Sequence, residues 1–492
     1  MRASGILLHI SSLPSPHGIG TLGQAAYRFV DFLVRAGQTY WQILPIGPTG
    51  VGDSPYQSCS AFAGNPYLID LDDLISRGLL TEDEVCGVFW GENAEKVDFG
   101  ALYAGRFAVL EKAYRRGLEQ ERASFAAFRT AQPWVEDYGL YMALKRKFGL
   151  LPWYQWPKAA ARRQADALDR YREELADDIS FYAFVQYLFY DQWERLHAYA
   201  KERGVKIIGD IPIYVPIDSA DVWLSPELFQ LGRNLTPKAV AGVPPDAFTE
   251  DGQLWGNPLY DWAKMKKDGF AWWKRRVKGA AAFFDMIRID HFRGLESYWA
   301  VPYGDGNARG GKWMPGPGMA LIRAIKDACP DTAFIAEDLG VITPPVRKLQ
   351  ERSGFPGMKV MEFAFDGGTD NAYLPHNVIP GCVYYTGTHD NETLAQWYAG
   401  MAPGAREFLT AYLGLNEREG VLRGILRGGM TSTADLFIAQ LQDWLGLGAE
   451  ARMNTPGLLS DKNWSWRLDK LPEDALADEL RAMTQISGRL TR

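Results

Sequence analysis

Three stretches of this 492-residue chain end in acids where a short apolar run gives out: Met286-Ile287-Arg288-Ile289-Asp290-His291, Ala333-Phe334-Ile335-Ala336-Glu337-Asp338, and Val383-Tyr384-Tyr385-Thr386-Gly387-Thr388-His389-Asp390. Runs of this length and composition read as buried strands, which sets each acid at a strand's C-terminal end. In the first, Arg288 and Asp290 lie two positions apart and share a face. A guanidinium beside a carboxylate lowers its pKa and keeps it ionised at neutral pH, the state in which a carboxylate attacks carbon. A structural Arg–Asp ion pair has the same pattern. The recurrence of an acid at the end of all three runs is what points to a site.

Three acids from separate strands suit glycosidic chemistry. One carboxylate attacks the anomeric carbon; a second protonates the leaving oxygen and later activates the acceptor. A third can hold the hydroxyls of the distorted sugar. With 17 Trp, 23 Tyr and 24 Phe the chain is rich in aromatics, which suits a site that stacks flat ligands as well as a large core. His291 and His389 each adjoin an aspartate, an arrangement that can also build a hydrolytic metal site. With no HExxH or CxxC spacing, no metal and no cofactor are expected.

The elements that must position these acids alternate. Strand-like runs at 5–10, 40–46 and 205–213 are followed by the Asp290, Glu337, 359–365 and His389 strands, and a last short one near 451–454. Helical stretches lie between them, at 22–36, 183–203, 260–284, 319–328 and 344–352, and helices fill most of 391–442. Strand followed by helix, with acids at strand C-termini, describes an α/β chain folded as a (β/α)8 TIM barrel whose site lies on its C-terminal face. A doubly wound open sheet is the alternative, but no GxGxxG follows the first strand. The glycine-rich 304–311 stretch opens no immediate helix and reads as a mobile loop rather than a phosphate cradle.

The rhythm breaks twice. Residues 47–185 read as a mainly helical insertion, because a plain barrel loop is never so long. Residues 214–259 read as a loop-rich insertion lining the cleft. The barrel is left with 1–46, 186–213 and 260–492. A net charge of −7 with both signs dispersed lacks the basic stripe of a nucleic-acid binder. Cys59, Cys86, Cys329 and Cys382 lie far apart and read as reduced thiols. The first apolar run is too short for a signal peptide, and nothing later approaches a membrane span. The expected compartment is the cytoplasm, or a plastid if a transit peptide has been removed.

These residues carry a resemblance. Arg288-Ile289-Asp290-His291-Phe292-Arg293-Gly294, Ala336-Glu337-Asp338-Leu339-Gly340 and Thr388-His389-Asp390-Asn391 resemble the catalytic blocks of the 4-α-glucanotransferases, the amylomaltase or disproportionating-enzyme family, glycoside hydrolase family 77. The likeness extends over nearly the whole chain. It takes in His9-Ile10-Ser11-Ser12-Leu13-Pro14, Gly52-Asp53-Ser54-Pro55-Tyr56-Gln57-Ser58, Gly209-Asp210-Ile211-Pro212, Gly242-Val243-Pro244-Pro245-Asp246, Trp255-Gly256-Asn257-Pro258 and Met453-Asn454-Thr455-Pro456-Gly457.

The resemblance implies a barrel of the α-amylase type without a C-terminal β-domain. It implies Asp290 as nucleophile, Glu337 as acid/base and Asp390 as transition-state stabiliser. Strand parity alone leaves Glu337 and Asp338 open, since adjacent residues face opposite ways; the resemblance chooses Glu337 and leaves Asp338 structural. It further implies that Arg288 orients Asp290, that Tyr56 and Asp210 face the transferred glucose, and that His291 and His389 bind hydroxyls. Trp255 and Asn257 would line the cleft, with Asn454 at its far edge. For Trp255 a core role anchoring the loop competes with stacking on sugar.

The activity so implied is retaining transfer of an α-1,4-glucan segment to the 4-hydroxyl of glucose or another glucan, through a β-glucosyl ester on Asp290. The two carboxyls are then about 5–5.5 Å apart. Donor and acceptor are α-1,4-glucans and maltooligosaccharides. A retaining α-glucan hydrolase uses the same three acids; a non-catalytic glucan-binding protein and a metal-dependent hydrolase are further alternatives. Val51 and Ala247 stand where some relatives carry aromatics, which would weaken an accessory glucan contact or open the acceptor cleft.

Overall fold

Runs of three to six residues, too short for helices and almost wholly buried, become the staves of a parallel barrel. The strands are β1 (Ala3–Leu7), β2 (Tyr40–Gln42), β3 (Lys206–Ile211), β4 (Ala239–Val243), β5 (Gln253–Pro258) and β6 (Met286–Ile289). They continue as β7 (Ser297–Pro302), β8 (Lys312–Pro315), β9 (Ala333–Ala336), β10 (Gly357–Val360), β11 (Cys382–Tyr385) and β12 (Leu436–Gln440). The computed structural model describes residues 2–245 and 249–491, and for Val51 the backbone alone.

Eight strands form one sheet in the order β10-β11-β12-β1-β2-β3-β6-β9, every neighbouring pair parallel. The ring closes between its ends, where Ala336 N–H donates to the carbonyl of Pro356 at 2.9 Å. This is the (β/α)8 barrel that the strand–helix rhythm predicts. Much of the aromatic content is core: Trp41, Trp153, Trp193, Trp223, Trp273 and Trp444 are fully buried. After β12 the described residues form no further named strand.

Between β2 and β3 the chain is helical. Phe99–Gln120 and Trp134–Lys147 pack on the long helix Ala176–Glu202, which leads into β3. A Cβ at Gly117 would fall 2.1 Å from the Phe184 ring, so only glycine admits this approach. The expected border at 185/186 falls inside that one continuous helix.

Other expectations also differ from the structure. The strand expected over 359–365 is β10, Gly357–Val360, after which Met361–Phe363 turns 3-10. The closing strand is Leu436–Gln440, within the stretch expected to be helical, and 449–451 forms a 3-10 turn instead. A short, mostly apolar run buried throughout has no period to separate strand from helix. The helix expected over 260–284 is two, Trp262–Lys267 and Ala271–Phe283, broken where Gly269 (φ 67°) and Phe270 (φ 60°) turn left-handed. Finally, β4 and β5 from the loop-rich stretch join β7 and β8 in a separate antiparallel sheet, ordered β5-β4-β7-β8. Two of its strands come from beyond β6, a pairing no local signal discloses.

Candidate active site

β3 and β6 are neighbours in the register Asp210↔Arg288, so these two side chains leave the barrel wall side by side. Arg288 donates from Nη1 to Oδ2 of Asp210, and the same nitrogen lies 2.9 Å from Oδ1 of Asp290. Arg288 and Asp210 are buried, whereas Asp290 is partly open to solvent. Burial opposes the Arg288 charge, but Asp210 and Asp290 outweigh it and hold the guanidinium's pKa well above its ordinary value. Burial raises the Asp210 carboxyl, with Arg288 pulling the other way and Asp290 adding to the rise. Tyr56 donates its hydroxyl to Oδ2 of Asp210 at 2.8 Å. Its ring stacks on His389, with centroids 5.1 Å apart and planes at 17°.

Glu337 follows β9 directly. His291 N–H donates to its Oε2 and Leu339 N–H to its Oε1, each at 2.8 Å. His291 has φ 51°, a left-handed conformation uncommon for a residue with a Cβ. Such outliers concentrate at functional sites, and this one ends β6 beside Asp290. Burial pushes the Glu337 carboxyl up to about 7; the Asp290 charge adds to the rise, while Arg288 and the two N–H groups oppose it. A carboxyl at about 7 can both give and take a proton near neutrality. Asp338 turns away, its Oδ1 accepting from Met358 N–H at 2.6 Å at the head of β10. Tertiary structure thus decides the parity that sequence leaves open.

Asp390 lies beyond β11. Its Oδ1 accepts from Asn454 Nδ2 at 2.6 Å, and His389 Nε2 lies 3.4 Å from the same oxygen. Burial lowers His389, with Asp390 opposing, and lowers His291 to about 4, with Asp290 opposing. His291 is therefore neutral at neutral pH, able to exchange hydrogen bonds with hydroxyl groups.

Contacts thus run in a chain from Asn454 through Asp390, His389, Tyr56, Asp210 and Arg288 to Asp290, and Glu337 binds the N–H of His291, the next residue after Asp290. Trp255 lies at their margin, partly exposed, its ring meeting His291 edge to face at 4.8 Å. Asn257 is buried, and its Oδ1 accepts from Gln57 Nε2 at 3.5 Å. Ala247 lies outside the described residues.

Several contributors escape the sequence reading. Trp464, at φ 64°, lies with its ring 5.7 Å from Tyr56 and 5.9 Å from His389. Arg452 donates from Nη2 to the Asp390 carbonyl and from Nε to the Asn454 carbonyl, both at 2.9 Å. His9, pushed down to about 3 by burial and then by His389, accepts the Leu44 N–H on Nδ1 at 3.3 Å. His9 stands in a motif that carries the resemblance. Trp464 and Arg452 reach the site only through the path of the chain after β12. Among the described residues no three His, Cys, Asp or Glu side chains are grouped as a metal ion requires.

A family model described as "4-alpha-glucanotransferase" matches residues 8–472. The 4-alpha-glucanotransferase of Clostridium butyricum is 47% identical over 486 residues, 98% of this chain and 100% of that one. That of Thermus thermophilus is also 47% identical, over 99% of each chain. Among solved structures, the amylomaltase of Streptococcus agalactiae in complex with acarbose superposes with a TM-score of 0.96 at 41% identity, covering 99% of this chain and 100% of that one.

Proposed function

The chain belongs to the 4-α-glucanotransferase family, glycoside hydrolase family 77, and we propose that it disproportionates α-1,4-glucans by a double displacement at Asp290. The observation that carries this is the contrast between two neighbouring carboxyls. Asp290 is paired with a buried guanidinium, while Glu337 is pushed up to about 7. A carboxyl that can hold a proton near neutrality suits the acid, and one set beside a cation and partly open to solvent suits the nucleophile.

In the first step Asp290 attacks the anomeric carbon as Glu337 protonates the departing glycosidic oxygen, leaving a β-glucosyl ester on Asp290. In the second, Glu337 takes the proton of an acceptor 4-hydroxyl, that oxygen attacks the anomeric carbon, and the ester carboxylate leaves. Two inversions retain configuration. Asp390, with Asn454 on its Oδ1, would hold hydroxyls of the sugar ring while positive charge develops. Tyr56 and Asp210 would border the same unit, with neutral His291 and His389 bonding to its hydroxyls. Trp255 and Asn257 sit on β5, so the 214–259 segment would supply part of the cleft wall. Acceptor sugar wins over water through proximity and exclusion of solvent.

The four cysteines are free, as suits the reducing cytoplasm proposed as its compartment. No helix among the described residues is long and apolar enough to cross a membrane.

The test is to incubate the pure protein with maltotriose, with and without EDTA, and separate products by length. Glucose together with maltopentaose and longer chains, unchanged by EDTA, is the expected result. Glucose and maltose alone, with reducing ends rising, would make the protein a hydrolase.

A further inference from the structure

Arg293 lies two residues past His291 and is buried. Its guanidinium lies 3.8 Å from the centroid of the Trp313 ring. It also donates from Nη1 to the Val341 carbonyl and from Nη2 to Ser297 Oγ at 3.3 Å. Yet two of the three residues it gathers are open to solvent, Trp313 at 40% and Val341 at 58%. Trp313 sits on β8, the edge of the outer antiparallel sheet, paired with Trp299 in register. The two rings meet edge to face, with centroids 5.1 Å apart. A cation over one face and an indole at the edge fix this ring, so a ligand loses little ordering entropy by resting on it.

The position of this patch relative to the acids is informative. Leu339 N–H is bonded to Oε1 of Glu337, and Val341 follows two residues on. An acid that protonates the leaving oxygen stands on the leaving-group side of the scissile bond. Sugar units beyond that bond, and later those of the acceptor, therefore lie toward the Glu337 loop. We propose that Trp313 and Val341, joined through Arg293, form a platform for the acceptor chain's outer glucose units, beyond the unit that receives the transfer. Exposed tryptophan offers a flat apolar surface to the C–H face of a sugar, and an apolar residue beside it extends that surface. This rests on the transfer reading above.

The experiment supplies amylose as donor with labelled glucose or labelled maltotriose as acceptor and measures the KM of each acceptor. Glucose fills only the receiving position, whereas maltotriose reaches outward. In Trp313→Ala, and in Trp313→Leu, which keeps an apolar cover over Arg293 but removes the flat ring, the maltotriose KM should rise about five- to tenfold more than the glucose KM. Val341→Ser should show the same selectivity at about twofold. If wild-type protein elongates both acceptors but these variants shift both constants equally, or neither, the platform is wrong and transfer stands. If wild-type protein elongates neither, the transfer reading fails, and this inference with it.

Discussion

Asn454 donates from Nδ2 to Oδ1 of Asp390 at 2.6 Å although 64 positions separate them. The Asn454 N–H also donates to the His389 carbonyl at 3.1 Å, and Arg452 ties the Asp390 and Asn454 carbonyls together. The chain after β12 thus returns to hold the acid that follows β11.

That relationship predicts a loss in turnover rather than in binding. A hydrogen bond to a charged group contributes about 1.5–3 kcal/mol, so Asn454→Ala should lower kcat roughly 10- to 100-fold with KM little changed. Arg452→Met should lower kcat in the same direction, and Arg452→Lys should recover part of the loss. Because both act through Asp390, the double variant should cost no more than the larger single one. Additive losses in steady-state kinetics would show that they act separately.

Asp290→Asn removes the proposed nucleophile and leaves the shape. Turnover of maltotriose should fall by at least about a thousandfold, while calorimetry finds maltooligosaccharide affinity within about threefold of wild type. Retained turnover would place the nucleophile elsewhere.

Glu337 predicts two pH effects. Its carboxyl is raised from an ordinary 4.5 to about 7, so the folded protein keeps a proton that the unfolded chain releases over that window. Stability from this group is therefore fullest below 4.5, falls as pH rises toward 7, and levels off above. Glu337→Gln should exceed wild type in unfolding free energy at pH 8, by on the order of 1–3 kcal/mol, and equal it at pH 4. In wild type, kcat/KM should decline as pH rises through about 7, as the acid form is lost; that limb should vanish in the variant along with most activity.

Arg288 and Asp210 form a buried pair. Leaving one partner buried alone costs about 3–5 kcal/mol, so Arg288→Met should lower the denaturation midpoint strongly. Adding Asp210→Asn to it should recover part of the stability without recovering activity, since Asp290 still lacks its cation. Chemical denaturation and the maltotriose assay together test this, and a double variant no more stable than Arg288→Met would sink it.

Residue types alone indicate the barrel class and set Asp290 and Glu337 directly after their strands, because burial and strand geometry are local consequences of residue type; Asp390, expected at a strand end, stands instead in the loop past β11. The sequence also determined that Arg288 and Asp290 share a face, since positions two apart on a strand always do. Family motifs pointed to the remaining candidate residues, each written in contiguous residues.

Tertiary structure alone decided the rest. Which of Glu337 and Asp338 turns to Asp290 depends on which side of β9 is the interior, and no strand carries that label. The register of β3 against β6 decides that Asp210 meets Arg288, across 78 positions. The sequence reading placed the last barrel strand near 451–454, but it is β12, because an apolar run buried on both faces looks alike as helix or strand. Asn454, Arg452 and Trp464 meet Asp390, His389 and Tyr56 only through the chain's return after β12. Pairings that close over long loops leave no trace in local periodicity; they exist only once the ring of strands has closed.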